Sequence, residues 1–293
     1  MKEQTVLRIA SRMRNLHEPI AVSRIPYEES DGFYSVWKIT DETGSCLLKR
    51  TESETEIEIY RKLANRIDAL PALFGTTTYR SKPYLLTEFA NGHNLMSATR
   101  SDLIRVLDAM IRMQQTFWGS RQRIGDRFSD CLNACKKRRA YLKEPRLIDA
   151  FDRFEAAYRA LPRTLCHNDF LPFNLIVGKE RVVFIDWEHG GILPYPSMIA
   201  RLLAHGSEHG ETPFYMTLQD RDYAIDYYYD RLLREKGISK NDYLSAMDRF
   251  FFFEHLEWVY VYRKYGKRPD ARYENALRLS NEYADRIINE KAR

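Results

Sequence analysis

Cysteine is scarce in this chain of 293 residues. There are four, at positions 46, 131, 135 and 166, too few in a chain this long for a disulfide framework. Cys131 and Cys135 stand one helical turn apart, but no histidine or further cysteine lies nearby in the sequence to complete a zinc site. Reduced thiols and a cytoplasmic setting are therefore expected. No run approaches the ~18 apolar residues that suggest a membrane span. The opening stretch, MKEQTVLRIASRMRNLH, carries charge throughout and lacks the apolar core of a secretory signal. Internal repeats and low-complexity tracts are also missing.

What is present suits a globular protein. Apolar residues make up 44% of the chain and aromatics 13%, ample for a buried core. The net charge is +5, with acids and bases interspersed. The densest basic block, Lys136-Lys137-Arg138-Arg139, lies in a helical stretch and reads as a solvated helix face, so no nucleic-acid partner is expected. A mild basic excess also suits a protein that receives polyphosphate.

The pattern changes once along the chain. Residues 2–16 have apolar positions Val6, Ile9, Ala10 and Met13 at helical spacing. Residues 20–27, then FYSVWKIT and SCLLKR around the turn Asp41-Glu42-Thr43-Gly44, read as strands, the last two as a hairpin. Residues 51–67 form a helix with Ile57, Tyr60, Leu63 and Ala64 on one face. Thr76–Tyr79 and Tyr84–Phe89 read as two more strands. Beyond Ala90-Asn91-Gly92 the periodicity is mainly helical, at 101–118, across 130–160, and from Ser197 to the end. The expectation is a small α+β lobe over 1–90, a larger mainly helical lobe over 91–293, and a cleft between them.

The most informative segment is 165–188, LCHNDFLPFNLIVGKERVVFIDWE. His167, Asp169 and Asn174 make H-x-D-x4-N, and Asp186 follows at the end of an apolar run. Phosphoryl transfer needs a carboxylate to receive or orient a hydroxyl proton. It also needs an amide oxygen and a second carboxylate to hold Mg²⁺ against nucleotide phosphates. Leu175–Val177 and Val182–Ile185 are β-rich runs around a Gly178-Lys179-Glu180 turn. That hairpin would bring Asn174 and Asp186 to one ion. As purely structural residues, Asp169 and Asn174 would instead make an Asx-turn or a helix cap.

With these residues the chain resembles the aminoglycoside phosphotransferases and choline kinases, a branch of the protein-kinase-like fold. CHND, then Asn174, then Ile185-Asp186-Trp187-Glu188 is most similar to the choline, ethanolamine and thiamine kinase side. The resemblance implies an α+β, bilobal protein-kinase-like fold. Its small N-terminal nucleotide-binding lobe has an antiparallel sheet plus a helix, and its C-terminal lobe is catalytic and substrate-binding. Asp169 is implied as catalytic base, Asn174 and Asp186 as Mg²⁺ ligands, and His167 as a support of the loop backbone. Lys49, ending the run Cys46-Leu47-Leu48, is implied as the cation that meets the α/β-phosphates, with Glu56 as its partner. Gly32 is the one glycine of the implied phosphate-covering loop, Glu28–Tyr34. Backbone at Glu88 and Ala90 is implied to pair with the adenine edge. ATP is the expected phosphoryl donor, with GTP as the alternative, and Mg²⁺ the expected metal.

The chain departs from the family pattern in two places, the glycine-poor phosphate-covering loop and one helix. Where an Asp usually supports the catalytic loop, Pro194–Arg201 carries Met198, leaving Ser197 as the residue to satisfy the loop's amides. The acceptor is expected to be a small cationic molecule with a hydroxyl, such as an aminoglycoside, choline or a similar amino-alcohol. Aromatics and acids from Phe250 to Tyr262, with Glu254, Glu257 and Trp258, would suit such a cation. An aromatic stripe at helical spacing reads first, however, as core. Two other functions stay open: an atypical protein Ser/Thr kinase, and a non-catalytic protein that kept the fold. The short, proline-bound stretch after Asp186 counts against the first, and the set Lys49, Asp169, Asn174 and Asp186 against the second.

Overall fold

The computed structural model describes residues 1–26, 31–64, 66–97, 99–210, 212 and 214–290. The chain divides into two compact units. One joins Met1–His93 to Ile176–His189, and the other joins Asn94–Leu175 to Gly190–Arg293.

The first unit opens with α1 (Glu3–Ala10), β1 (Ala21–Pro26), β2 (Phe33–Asp41), β3 (Gly44–Arg50), α2 (Glu54–Leu63), β4 (Leu73–Tyr79) and β5 (Lys82–Glu88). The strands form one antiparallel sheet in the order β1-β2-β3-β5-β4. The β2–β3 turn is fixed by Asp41, whose carboxylate accepts from the Thr43 amide at 2.9 Å, and by Gly44 at φ +127°. Strand alternation sets two faces. Cys46 and Leu48 join Val6, Ile9, Trp37, Ile39 and Leu86 in the core that α1 covers. Lys49, one residue on, projects from the other face. The helix expected over 2–16 stops at Ala10, where bonds from Arg12 to Ile9 and from Met13 to Ala10 tighten the chain. That turn lays Met13 onto Gly75, where an added Cβ would lie 2.8 Å from the Met13 Cβ.

The chain continues through β6 (His93–Asn94), α3 (Arg100–Thr116), α4 (Phe128–Arg139), α5 (Pro145–Ala160) and β7 (Arg163–Cys166). The helical stretch expected across 130–160 is broken after Arg139, and α5 restarts with Pro145 in its first turn, where a missing amide costs nothing. Next come β8 (Leu175–Val177) and β9 (Val182–Phe184), joined by a turn in which the Gly178 amide donates to Arg181 O at 3.0 Å. This hairpin belongs to the first unit, across the sequence break read at residue 90. The Phe184 amide donates to Ala69 O at 2.7 Å. Arg181 donates to Asp68 O at 2.9 Å and pairs with the Glu88 carboxylate.

The second unit resumes with β10 (Gly191–Pro194), α6 (Pro196–Ala204), β11 (Gly206–Ser207), β12 (Phe214–Tyr215), α7 (Leu218–Tyr228), α8 (Lys240–Lys264) and α9 (Ala271–Ile288). A π-helical turn at Tyr229–Leu233 prolongs α7. Strands β7 and β10 pair antiparallel, with Cys166 opposite Gly191. Helix α8 packs on α5, α6 and α9. The aromatic stripe is core: Phe250, Phe251 and Phe252 are buried, and Phe154 stacks on Phe253 at 4.4 Å. The basic block is a paired helix face, with Lys136 near Glu155, Arg138 on Glu257 and Arg139 on Asp152. All four cysteines are free, and burial pushes the thiols of Cys131, Cys135 and Cys166 up to about 12.

Two glycines carry the close approach of the hairpin to the end of the first segment. A Cβ at Gly92 would meet Val177 O at 2.5 Å, and one at Gly178 would meet Asn91 O at 2.7 Å. These obstacles are backbone and cannot swing aside. Gly92→Ala should therefore cost about 1–3 kcal/mol, the usual price of overpacking. Gly210→Ala, where nothing lies within 4 Å but φ is +70°, tests strain without a clash. Urea midpoints should fall further for Gly92→Ala; equal falls would assign the Gly92 effect to backbone freedom alone.

Candidate active site

In the first unit the chemistry centres on Lys49. It lies on β3, opposite Leu85 of β5 and Val36 of β2. Its ammonium donates to Glu56 Oε1 at 2.8 Å and to Asp186 Oδ1 at 2.6 Å. Glu56 is positioned by helix α2, whose cap residue Ser53 accepts from the Glu56 amide at 3.3 Å. Burial by itself would lower the Lys49 pKa, but the Glu56 and Asp186 carboxylates outweigh it and hold the ammonium above its ordinary value. Burial likewise raises Glu56, against the pull of Lys49. Asp186 follows β9 in a left-handed conformation, φ 66°, uncommon outside glycine and tolerated by Asp. Behind it the Trp187 indole is fully buried and donates to Phe184 O at 2.8 Å.

In the second unit β7 leads into the loop that carries His167, Asp169 and Asn174. Thr164 of β7 donates to Gln114 O of α3 at 2.7 Å, and the Tyr228 hydroxyl closes on Gln114 Oε1 at 2.5 Å. His167 is completely buried. Asn168 takes φ 61°, which turns the chain so that Asp169 is only partly covered. The Leu171 amide bonds back to Asp169 O at 2.9 Å. Asn174 Nδ2 donates to Asp169 O at 2.9 Å and to Asp169 Oδ2 at 3.2 Å. The other oxygen, Oδ1, accepts from Arg201 Nη2 at 2.9 Å.

Arg201 is the residue that sequence reasoning passed over. It sits on α6 among buried neighbours and donates from Nη1 to Glu254 Oε2 on α8 at 2.8 Å. His205, one turn further along α6, shares that oxygen at 3.1 Å. Burial opposes the Arg201 charge, and Glu254 and Asp169 overcome it, raising its pKa. Burial would raise Glu254 too, yet Arg201 and His205 bring it down to about 2. Sequence held one clue: a lone arginine inside PSMIARLLA needs a partner when that helix is buried.

The other expected residues fall as follows. Gly32 precedes β2 with φ 144°, and residues 28–30 of the expected phosphate-covering loop lie outside the described residues. The Glu88 amide donates to Ala72 O at 2.9 Å, its carboxylate accepts from the Ala72 amide at 2.9 Å, and Ala90 stands half-buried just past β5. Ser197 does not take up the support expected of it: its hydroxyl is buried and makes no hydrogen bond among the described residues. Met198 is packed in the core, and it is Arg201 that braces the loop, through the Asp169 side chain. Glu254 and Glu257 are paired with Arg201 and Arg138, so neither is a free acid for a cation.

Known proteins give this arrangement its class. The phosphotransferase enzyme family APH matches residues 30–232. Protein LicA of Haemophilus influenzae is 25% identical over 117 residues, which are 36% of this chain and 44% of that protein. The match thus spans less than half the length of this curated relative. Among solved structures, amicoumacin kinase hAmiN in complex with AMP-PNP, Ca²⁺ and Ami superposes with a TM-score of 0.67 at 16% identity, over 98% of this chain and 94% of that one. Choline kinase from Cryptosporidium parvum gives 0.62 at 14%, over 96% and 94%. A thermostable aminoglycoside phosphotransferase APH(4)-Ia with ADP and hygromycin B gives 0.61 at 14%, over 100% and 99%. The fold is the bilobal kinase-like fold of these enzymes. The chain belongs to the phosphotransferase enzyme family.

The Glu254 pair yields a signed pH dependence. Its carboxyl is depressed from 4.5 to about 2 in the folded protein. Its stabilisation is therefore complete above about 4.5 and is lost as pH falls toward about 2. Glu254→Gln should destabilise by roughly 3 kcal/mol near neutrality, as removal of one partner of a buried ion pair does. The gap between parent and variant should stay level down to pH 5 and close below 4.5. Urea unfolding across pH 7 to 2.5 reads this, and a gap that does not narrow in acid would exclude an ionic role for Glu254.

Proposed function

We propose that the protein transfers the γ-phosphoryl group of ATP, with Mg²⁺, to a hydroxyl of a small molecule. The observation that carries this reading is the Lys49 ammonium clasped by both Glu56 and Asp186. A partly covered cation held between two carboxylates, one on a helix and one just past a strand, matches the phosphate-binding element of kinase chemistry. The donor set suits the metal: carboxylate and amide oxygens are the hard ligands Mg²⁺ prefers, and with nucleotide phosphates present one or two from the protein suffice. Asp186 and Asn174 are the proposed ligands. Asn174 spends its Nδ2 on Asp169, which leaves its Oδ1 as the end for a cation.

Mg-ATP would supply the phosphoryl group and the anionic charge that Lys49 meets. The chain's own residues do the rest. Glu56 keeps the Lys49 side chain extended. Asp169 takes the proton from the acceptor hydroxyl as general base. Arg201 on Oδ1 and Asn174 on Oδ2 fix the plane of that carboxylate, so the base is oriented before an acceptor arrives. His167 holds the loop from within the core.

A small acceptor is favoured over a peptide. Strand β10 begins five residues after Asp186 and α6 five residues after that, which leaves no room for a long activation segment. In the second unit a cavity of about 450 Å³ opens against His205, His255, Trp258, Arg272 and Asn275. Burial brings the His255 imidazole down to about 3, so it is neutral and can both donate and accept. Arg272 lies 4.8 Å over the Trp258 ring. These groups suit hydroxyl-rich acceptors, and His205 links their wall to Glu254 and Arg201. The solved neighbours bind amicoumacin-type and hygromycin ligands or act on choline, so the acceptor panel should span cationic amino-alcohols, aminoglycosides and neutral polyols.

Two measurements test this reading. Mg-ATP at ~100 times its dissociation constant should add about 2.7 kcal/mol of stability, seen as a rise in Tm. Asp186→Asn, which tolerates the left-handed backbone, should remove the metal-dependent part of that rise. No rise with the parent at millimolar Mg-ATP would end the kinase reading. On whichever acceptor the panel reveals, Asp169→Asn should lower turnover roughly 10²- to 10⁴-fold while ATP affinity stays within a few-fold. Turnover near that of the parent would show that another group is the base.

A further inference from the structure

The loop from Gly119 to Arg127, between α3 and α4, closes with the end of α5 around a second cavity of about 530 Å³. Arg121, Arg123, Arg127, Arg159 and Arg163 line it, and Asp126 is the single carboxylate among the lining residues. Arg159 is paired with Glu155 of its own helix at 2.7 Å. The Arg163 guanidinium lies 3.5 Å over the Phe128 ring, which orients it and leaves its charge intact.

The loop is built into the unit. The Asp126 amide donates to Gly190 O at 2.8 Å, and Gly125 and Asp126 bridge to Gly191 of β10. A Cβ at Gly191 would lie 2.6 Å from Asp126 O, so loop and strand are in backbone contact. Arg121, Arg127 and Arg163 have no acidic partner among the described residues, so their guanidinium groups repel one another around the cavity, and an anion is what relieves that repulsion. The planar fork of arginine matches phosphate oxygens in pairs. The volume is that of a small-molecule site. None of these residues belongs to the phosphoryl-transfer site described above.

We propose that this cavity binds a phosphorylated small molecule carrying two or more negative charges, either a polyphosphate or a phosphate ester. Full-length protein is titrated calorimetrically in EDTA with two probes, inorganic tripolyphosphate and fructose 1,6-bisphosphate. The background is Lys49→Ala, which disables the nucleotide-side cation. At least one probe should still bind with 1:1 stoichiometry, and the tighter one identifies the source. Adding Arg121→Ser with Arg127→Ser should weaken that binding at least tenfold, while Arg121→Lys with Arg127→Lys should restore part of it. Both arginines are exposed, so Tm without ligand should move by less than about 2 °C. Loss of all binding in Lys49→Ala alone would overturn the proposal, because every anion would then reside at the nucleotide site. Binding unchanged by the double serine variant would overturn it equally.

Discussion

Arg201 is a cation that the fold has covered over about three-quarters of its side chain, and much of the second unit follows from having to neutralise it. An unpaired guanidinium in that position would cost several kcal/mol. The solution draws on three separate segments: the loop after β7 supplies Asp169, α6 supplies Arg201 itself, and α8 supplies Glu254. His205 adds a second contact to Glu254 from the same helix. Pairing of this kind is directional, unlike apolar packing, so it fixes where the Asp169 oxygens point as well as how close the helices come. The charge that a core would ordinarily reject is thereby made into a support for the proposed base.

Lys49 obeys the same rule in the first unit, with a different outcome. Glu56 is almost wholly enclosed, whereas the Asp186 side chain is about two-fifths exposed. One partner is therefore a fixed structural counterion, and the other stands where solvent can reach it. A cation with one permanent and one accessible carboxylate can exchange the latter for another anion without being stranded. That asymmetry is what a transient polyanionic ligand requires of its binding lysine.

The residues legible in the sequence are those whose partners lie nearby or whose place is set by periodicity. The hairpin around Gly178 and the aromatic core of α8 are of that kind. Lys49, at the end of an apolar run, and Glu56, in the following helix, were legible as partners through the family resemblance; by local pattern alone they would read as surface charges. Arg201 and Glu254 are 53 positions apart on two helices, and no local pattern announces their contact. Met198 invited a search for a substitute within its own turn, at Ser197, when the brace came from another side of the same helix. The short strands β10, β11 and β12 were equally hidden, since two- to four-residue strands are defined by their partners and not by their own composition. The arginine cavity gathers side chains from a loop, a helix end and a strand, and it too exists only once the chain is folded.

The hairpin at Ile176–His189 has a temporal side. It is part of the first unit in space yet follows more than eighty residues of the second in sequence. Arg181 with Glu88, Phe184 with Ala69, and Gly178 against Asn91 are contacts that the N-terminal segment cannot make on its own. Domains fold N-terminal first as a chain is synthesised, but here the N-terminal unit is unfinished until residue 189 has emerged. The Lys49 ammonium then waits on the ribosome with only Glu56 for company. The order of synthesis thus makes Asp186 the last charged residue to join the first unit's site, after the whole segment bearing Asp169 has already been made.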